Sequence, residues 1–313
     1  MGRWRIKILN KKIDSFEKDM RKLKTLITNK NLRFKYKKYT SIIGLAPSKG
    51  ARSPKLWNQA FKKYGIKNEM VPFDVKKNNL SKLLNFLKQD KNFVGGCVTV
   101  PHKENVFKCL GKNITKTSKK IGAVNCLFRD KNKKLIGTNT DGEAALKSFE
   151  NKFGKIKNKK ILLLGPGGAG KAVASYFSSG LKNKRDLFIV GRTRKSKNFS
   201  KKIKARWINF KKLKNLDLKN FQIIINCTSL GFGSGVKKMP IQKQKIKNIK
   251  KNTLVFDIIY KPSRTKFLLF AKKNKAKILN GLDMNLRQAV LAFGYANKKL
   301  SSNSRTLKYM RSA

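Results

Sequence analysis

The sequence predicts an α/β protein of two domains, and three observations carry that prediction. The chain has 313 residues, about twice the length of a common single domain. Apolar runs of strand length alternate with stretches of helical periodicity, the pattern of parallel sheets joined by crossover helices. One such run, Ile161-Leu162-Leu163-Leu164, ends in the turn Gly165-Pro166-Gly167-Gly168-Ala169-Gly170 and passes into an Ala/Val-rich helical stretch from Lys171 to about Phe177.

Taken in order, residues 1–35 are a polar, lysine-rich lead in which Ile13, Phe16, Met20, Leu23, Leu26 and Ile27 recur at helical spacing and predict one amphipathic helix. Tyr39–Gly44 reads as a strand, and a loop runs from Leu45 to Pro54. A helix with Leu56, Trp57, Ala60 and Phe61 follows, then a strand over Glu69–Val75 and a helix over Asn79–Leu87. Phe93–Val100 is an apolar strand ending in Pro101-His102-Lys103-Glu104, read as extended. Ile121–Leu127, a hairpin around Arg129–Lys134 and Ile136–Gly142 come next. A helix over residues 143–153 leads to the glycine turn. Asp186–Val190 is a further strand, and Phe221–Gly231 and Leu254–Pro262 hold two more with polar ends. In a doubly wound sheet such ends face the ligand crevice. Gly281–Ala289 opens a helix, and the polar tail after Leu300 is expected to fray.

The glycine turn sits in the strand–turn–helix context that gives its spacing meaning. Gly165 permits the tight turn, Gly167 lets backbone approach a pyrophosphate, and Gly170 lets helix and strand pack closely. The helix that follows offers free N–H groups and a positive dipole end that suit phosphate. A glycine-rich turn without ligand is the competing reading, and the next strand weighs against it. It ends in Gly191-Arg192-Thr193-Arg194, with no Asp or Glu to hold a ribose 2′-hydroxyl. Guanidinium groups match a 2′-phosphate. The expected cofactor is therefore NADP, bound by a Rossmann-type domain through Gly165, Gly167, Gly168, Ala169, Gly170, Arg192, Thr193 and Arg194.

The formal net charge is +62. Nucleic-acid binding is the first function such a charge suggests. The lysines, however, are spread over every predicted element, and no zinc-finger, RNP-like or basic-zipper pattern is present. A compositional bias explains the charge better, with salt-sensitive sticking to polyanions as its consequence. Cys97, Cys109, Cys126 and Cys227 form no C-x-x-C pair, so a reduced, cytoplasmic setting is expected and a disulfide framework or metal site is not. No apolar stretch is long enough for a membrane span. Oligomeric state is left open between monomer and homodimer.

These pieces together resemble the shikimate dehydrogenase and quinate/shikimate dehydrogenase family, from about Ser41 to Phe293. The resemblance rests on Gly44…Ser53-Pro54, Val98-Thr99-Val100-Pro101-His102-Lys103-Glu104, Gly122-Ala123-Val124-Asn125, Asn139-Thr140-Asp141-Gly142, the glycine turn, Arg192-Thr193, Asn226-Cys227-Thr228-Ser229-Leu230-Gly231, Asp257-Ile258-Ile259-Tyr260-Lys261-Pro262 and Gln288-Ala289. It implies a substrate domain over residues 39–142, completed by helices in 281–313, and an NADP domain over 143–280. Residues 1–38 are an extension. It implies NADP-dependent interconversion of 3-dehydroshikimate and shikimate.

The same resemblance makes Lys103 and Asp141 the catalytic pair. An ammonium suits the task, because hydride addition to a ketone leaves an alkoxide that needs a proton. It also implies that Ser53, Thr99, Asn125, Tyr260 and Gln288 bind substrate. Asn226, Thr228 and Ser229 would line the cofactor side, and Met284 would approach the nicotinamide. His102, the single histidine, is expected to pack or lie at the surface. Three departures stand out: Ala51 where the family carries a serine, a loop between Gly44 and Pro47 one residue longer, and Cys97 where asparagine is common. Ser48 and Arg52 are candidates to replace the missing serine hydroxyl. These departures motivate an alternative, a paralogue acting on quinate or another cyclic hydroxy acid. A basic nucleic-acid-binding protein on a dehydrogenase fold is the alternative from another class.

Overall fold

A computed structural model describes residues 16–300 and 302–313. The elements, in order, are α1 (residues 16–26), β1 (Tyr39–Gly44), α2 (Ser53–Lys63), β2 (Glu69–Asp74), α3 (Leu80–Gln89), β3 (Phe93–Val98), α4 (Lys103–Leu110), α5 (Lys116–Ile121), β4 (Cys126–Arg129), β5 (Leu135–Thr138) and α6 (Asp141–Phe153). They continue with β6 (Ile161–Leu164), α7 (Gly168–Gly180), β7 (Leu187–Gly191), α8 (Arg194–Lys202), β8 (Arg206–Asn209), β9 (Ile223–Asn226), α9 (Lys243–Ile246), β10 (Leu254–Asp257), α10 (Lys266–Lys273), β11 (Lys277–Leu279), α11 (Leu282–Ala296) and α12 (Asn303–Arg311). The chain forms two compact units. The first holds the described residues up to Lys119, Val124–Thr138 and Ala289–Ala313, and the second holds Lys120–Ala123 and Asn139–Gln288.

In the first unit the strands run β2-β1-β3-β4-β5. β1 pairs parallel with β2 and β3, while β4 pairs antiparallel with β3 and β5. Tyr39, Ile43, Phe73 and Val98 of the sheet share a core with Leu83, Leu84 and Leu87 of α3 and Val106 of α4. Met20 and Leu23 of α1 and Ile27 just after it join the same core, so the lead packs as its apolar spacing requires; Ile13 lies outside the described residues. The lead also covers the outer edge of β2. Asn29 donates to Pro72 O at 2.8 Å and accepts from Asp74 N at 2.9 Å, and Thr28 N donates to Asp74 O at 2.8 Å. An edge strand left bare is a template for aggregation.

Three expectations change in this unit. The segment at His102–Glu104 is not extended, because His102 N turns back onto Thr99 O at 3.0 Å and α4 starts at Lys103. The helices α4 and α5 were not anticipated: Val106, Phe107, Cys109 and Leu110 stand at helical spacing over one short stretch, and α5 carries one apolar residue, Ile121. The tail does not fray. Thr306, Tyr309 and Met310 form one narrow face of α12: Thr306 meets the Tyr64 hydroxyl at 2.9 Å, the Tyr309 ring lies 4.9 Å from that of Tyr64, and Met310 is buried. Phe293 of α11 joins this cluster against Trp57 and Phe61 at 5.1 Å from each.

The second unit is a sheet of parallel strands in the order β11-β10-β9-β6-β7-β8. Its first strand in sequence, β6, is central, and the chain winds outward first to one side and then to the other. That is the order of a Rossmann fold, whose ligand crevice opens where the winding reverses, between β6 and β9. Ile161–Leu164 and Ile223–Asn226 are buried at every position, as a sheet covered on both faces demands. The edge strands β8 and β11 were not anticipated. They have four and three residues, too few to show a period. Among the described residues no helix is long and apolar enough to cross a membrane.

Candidate active site

In the second unit the glycine turn leaves β6 at the point of reversal. Gly165 has φ +86°, a left-handed conformation that side chains disfavour. A Cβ built there would stand 2.6 Å from Thr228 Cγ2. A Cβ on Gly170 would run into Gly165 O, so the third glycine is required for α7 to meet β6. Gly167 differs: a Cβ there would have no protein atom within 4 Å. Its missing side chain leaves that side of the turn open. α7 begins at Gly168 with no side-chain cap on Gly167, which leaves the first N–H groups of the helix for a ligand. The donor set fits a dinucleotide pyrophosphate.

The second strand fits the other end of the same ligand. Arg192, Thr193 and Arg194 are exposed just beyond β7. Thr193 accepts Ser196 N at 3.3 Å as the cap of α8, and the Ser196 hydroxyl donates back to Thr193 O at 2.5 Å. This cap fixes where the two arginines stand. They line an open groove with Lys197, Arg206 and Trp207.

On the far side of the reversal, Asn226 corrects an expectation. It is completely buried and lines nothing. Its Oδ1 accepts Thr228 N at 3.0 Å and the Thr228 hydroxyl at 2.7 Å, while Nδ2 donates to Leu230 O at 3.2 Å and to Asp257 Oδ1 at 3.1 Å. Asp257, to which the sequence reading gave no role, also accepts Ile259 N at 3.1 Å and the Thr265 hydroxyl at 2.7 Å. Burial pushes the Asp257 carboxyl up to about 6, and these donors resist the rise. Burial, with Asp257 and Asp141 adding to it, raises the Cys227 thiol well above its usual range, so this cysteine stays protonated. The sequence placed Asp257 at the end of an apolar strand and at the head of a block that carries the resemblance, but showed none of these partners.

Asp141 is the first residue of α6 and is buried. Its N–H donates to Asn139 Oδ1 at 3.0 Å, and Asn139 Nδ2 donates to Ala123 O at 3.1 Å. Gly142 lets α6 lie against α7, since a Cβ there would strike Ala172 O. The Thr140 hydroxyl donates to Gln288 O at 3.2 Å, which ties this segment to α11. Met284 and Gln288 are buried on α11, and Tyr260 is half-buried after β10.

In the first unit, backbone bonds gather the other candidates at the C-terminal ends of β1 and β3. Thr99 N donates to Ile43 O at 2.8 Å, Val98 N to Asn125 O at 2.8 Å, and Val124 N to Lys103 O at 2.9 Å. Thr99, Lys103 and Asn125 therefore stand on one rim. Ser53 opens α2 beyond the loop that leaves β1. His102 is buried beneath them, its Nε2 2.7 Å from Val75 O. The carbonyl accepts, so Nε2 carries the hydrogen. His102 is a packing residue, and the surface alternative falls away.

The Ser48 replacement is also corrected. Its hydroxyl donates to Asp74 Oδ2 and its N–H to Asp74 Oδ1, so the extended loop pins Ser48. Arg52, the other candidate, immediately precedes α2 and has helical angles, φ −75° and ψ −25°.

The comparisons follow this division. The model of the shikimate dehydrogenase substrate-binding domain matches residues 42–127, and that of shikimate/quinate 5-dehydrogenase matches residues 147–262. A shikimate dehydrogenase (NADP(+)) of Methanococcus maripaludis is 38% identical over 81% of this chain and 90% of its own. One from Clostridium botulinum is 34% identical over 78% of this chain and 91% of its own. The crystal structure of a shikimate dehydrogenase in complex with NADP+ superposes with a TM-score of 0.75 at 30% identity, covering 92% of this chain and 97% of that one.

Proposed function

The chain belongs to the shikimate dehydrogenase family, and from that premise we propose how its residues carry the family's reaction. The protein is an NADP-dependent oxidoreductase that interconverts 3-dehydroshikimate and shikimate by hydride transfer. The observation that carries this reading is the uncapped glycine turn at the reversal of the sheet, with Arg192 and Arg194 at the end of the next strand.

Bound NADP supplies the hydride acceptor, and NADPH the donor. The uncapped N–H groups of α7 hold the pyrophosphate, with Gly167 letting it approach and Gly168 and Ala169 flanking it. Arg192 and Arg194 hold the 2′-phosphate, and Thr193 fixes their backbone. Met284 offers an apolar wall to the nicotinamide, and Thr228 backs the glycine turn.

Lys103 moves the proton. When the alcohol is oxidised, the hydroxyl proton passes to Lys103 Nζ as the carbon loses hydride. In reduction the Lys103 ammonium returns it to the forming alkoxide. Asp141 is the carboxylate of the proposed catalytic pair. Ser53, Thr99, Asn125, Tyr260 and Gln288 supply hydroxyl, amide and phenol groups to the ring hydroxyls and carboxylate of the substrate. The enzyme works in the cytoplasm as a monomer or homodimer and has no specific nucleic-acid partner.

A spectrophotometric screen of shikimate and quinate against NADP and NAD tests the reading. Shikimate with NADP should give the highest kcat/KM. A preference for quinate would move the chain to the paralogue suggested by Ala51, and a preference for NAD would remove the phosphate-clamp role of the arginines.

A further inference from the structure

Two loops that serve different ligands in the proposed reaction share one buried carboxylate. The turn after β9 carries Thr228, whose methyl packs over Gly165. The loop after β10 carries Tyr260. Asp257, with no exposure to solvent, takes Asn226 Nδ2 from the first and Ile259 N and the Thr265 hydroxyl from the second. Asn226 passes the hold on to Thr228 and Leu230. Ile259 passes it on too, because Gly281 N donates to Ile259 O at 2.9 Å just before α11 begins.

We propose that Asp257 is a positioning residue that fixes the nucleotide turn and the substrate loop to one anchor, so that each of its two arms sets the affinity for a different ligand. The proposal rests on the dehydrogenase reading for the roles of Thr228 and Tyr260. A buried polar group is retained only when its bonds are satisfied, and here every polar partner of Asp257 is a donor that a carboxylate accepts. An apolar residue at this position would accept none of these bonds and would remove the link between the loops after β9 and β10.

Variants that cut one arm at a time provide the test. Asn226→Ala frees the turn after β9, and Thr265→Val frees the loop after β10. Hydrogen bonds to a charged group are worth enough to shift binding by about 10- to 150-fold when lost. Asn226→Ala should raise the KM for NADP by at least about tenfold and leave that for shikimate within about twofold, and Thr265→Val should do the reverse. Asp257→Ala should raise both. Asp257→Asn should recover most of the loss, because its oxygen still accepts from Asn226 and Ile259 and its amide donates to Thr265 Oγ1. If Asn226→Ala and Thr265→Val each move both constants by the same factor, or lower Tm with both constants unchanged, the anchor is merely structural and the proposal is overturned. Should Asp257→Ala fail to fold, the two single-arm variants decide the matter alone. Absence of any shikimate turnover by the wild type would overturn the dehydrogenase reading instead. NADP titration of Asn226→Ala would then test the nucleotide arm, and unchanged affinity would overturn it.

Discussion

Single residues carry the chemistry through local environments that composition hides. Lys103 is one of 77 lysines and arginines, and only its place opening α4 beside Thr99 and Asn125 sets it apart. Lys103→Ala should lower kcat by about 10²- to 10⁴-fold, the range for a lost general acid, while NADP titration stays at wild-type affinity. Activity near wild type would remove Lys103 from the mechanism. Asp257 makes a pH prediction. Its folded value of about 6 lies above the ordinary 3.8, so its neutral form is favoured by folding. The stability this confers is complete below about pH 4 and is lost as pH rises through about 6, a swing of about 3 kcal/mol. Urea unfolding of wild type and Asp257→Asn between those values measures it, since the amide cannot ionise. Cys227, the titratable neighbour, stays protonated throughout. Equal pH slopes in the two proteins would mean that Asp257 does not titrate there.

Elements place these residues, and the glycine turn separates what folding needs from what the ligand needs. Gly170→Ala should lower Tm as well as weaken NADP, because the new methyl meets Gly165 O and stands 3.1 Å from Cys227 Cβ. Gly167→Ala should leave Tm unchanged, with nothing within 4 Å of the methyl, yet weaken NADP by an order of magnitude or more by blocking the pyrophosphate. Thermal melts with NADP titration check both, and unaltered NADP affinity in Gly167→Ala would exclude the contact. At the C-terminus, truncation after Leu300 should cost several kcal/mol. It uncovers Tyr64 and removes the buried Met310, and each large apolar side chain contributes about 1.5–3 kcal/mol when buried. Denaturant midpoints of the two lengths measure the cost; equal midpoints would mean α12 adds nothing.

Across the whole molecule the +62 charge acts on stability and on ligand encounter together. Like charges repel more in the compact state than in the open chain. Raising ionic strength from about 0.01 M to about 0.15 M shortens the screening length from about 30 Å to about 8 Å, so Tm should rise. The same change should weaken NADP more than NAD, because the 2′-phosphate is the ligand's extra charge. Calorimetry and KM ratios at the two strengths test this pair, and a salt-independent NADP/NAD ratio would contradict it. What the chain determined by itself is what neighbours in sequence can specify. The glycine turn, the acid-free end at Arg192–Arg194 and the alternation of strands and helices are short-range patterns, each set by adjacent residues and their periodicity. The tertiary structure decided the rest, because those features join residues far apart in the chain. Arg129 was read only as the edge of a hairpin, yet its guanidinium collects the carbonyls of Leu87, Lys88, Asp90, Phe93 and Lys133. Asn226, Asp257 and Thr265 become one network only when β9 and β10 pair. Ser48 is held by Asp74 and α12 by Tyr64. A hydrogen bond across such a span leaves no period in the sequence, and its partners are brought within reach only when the sheet has formed.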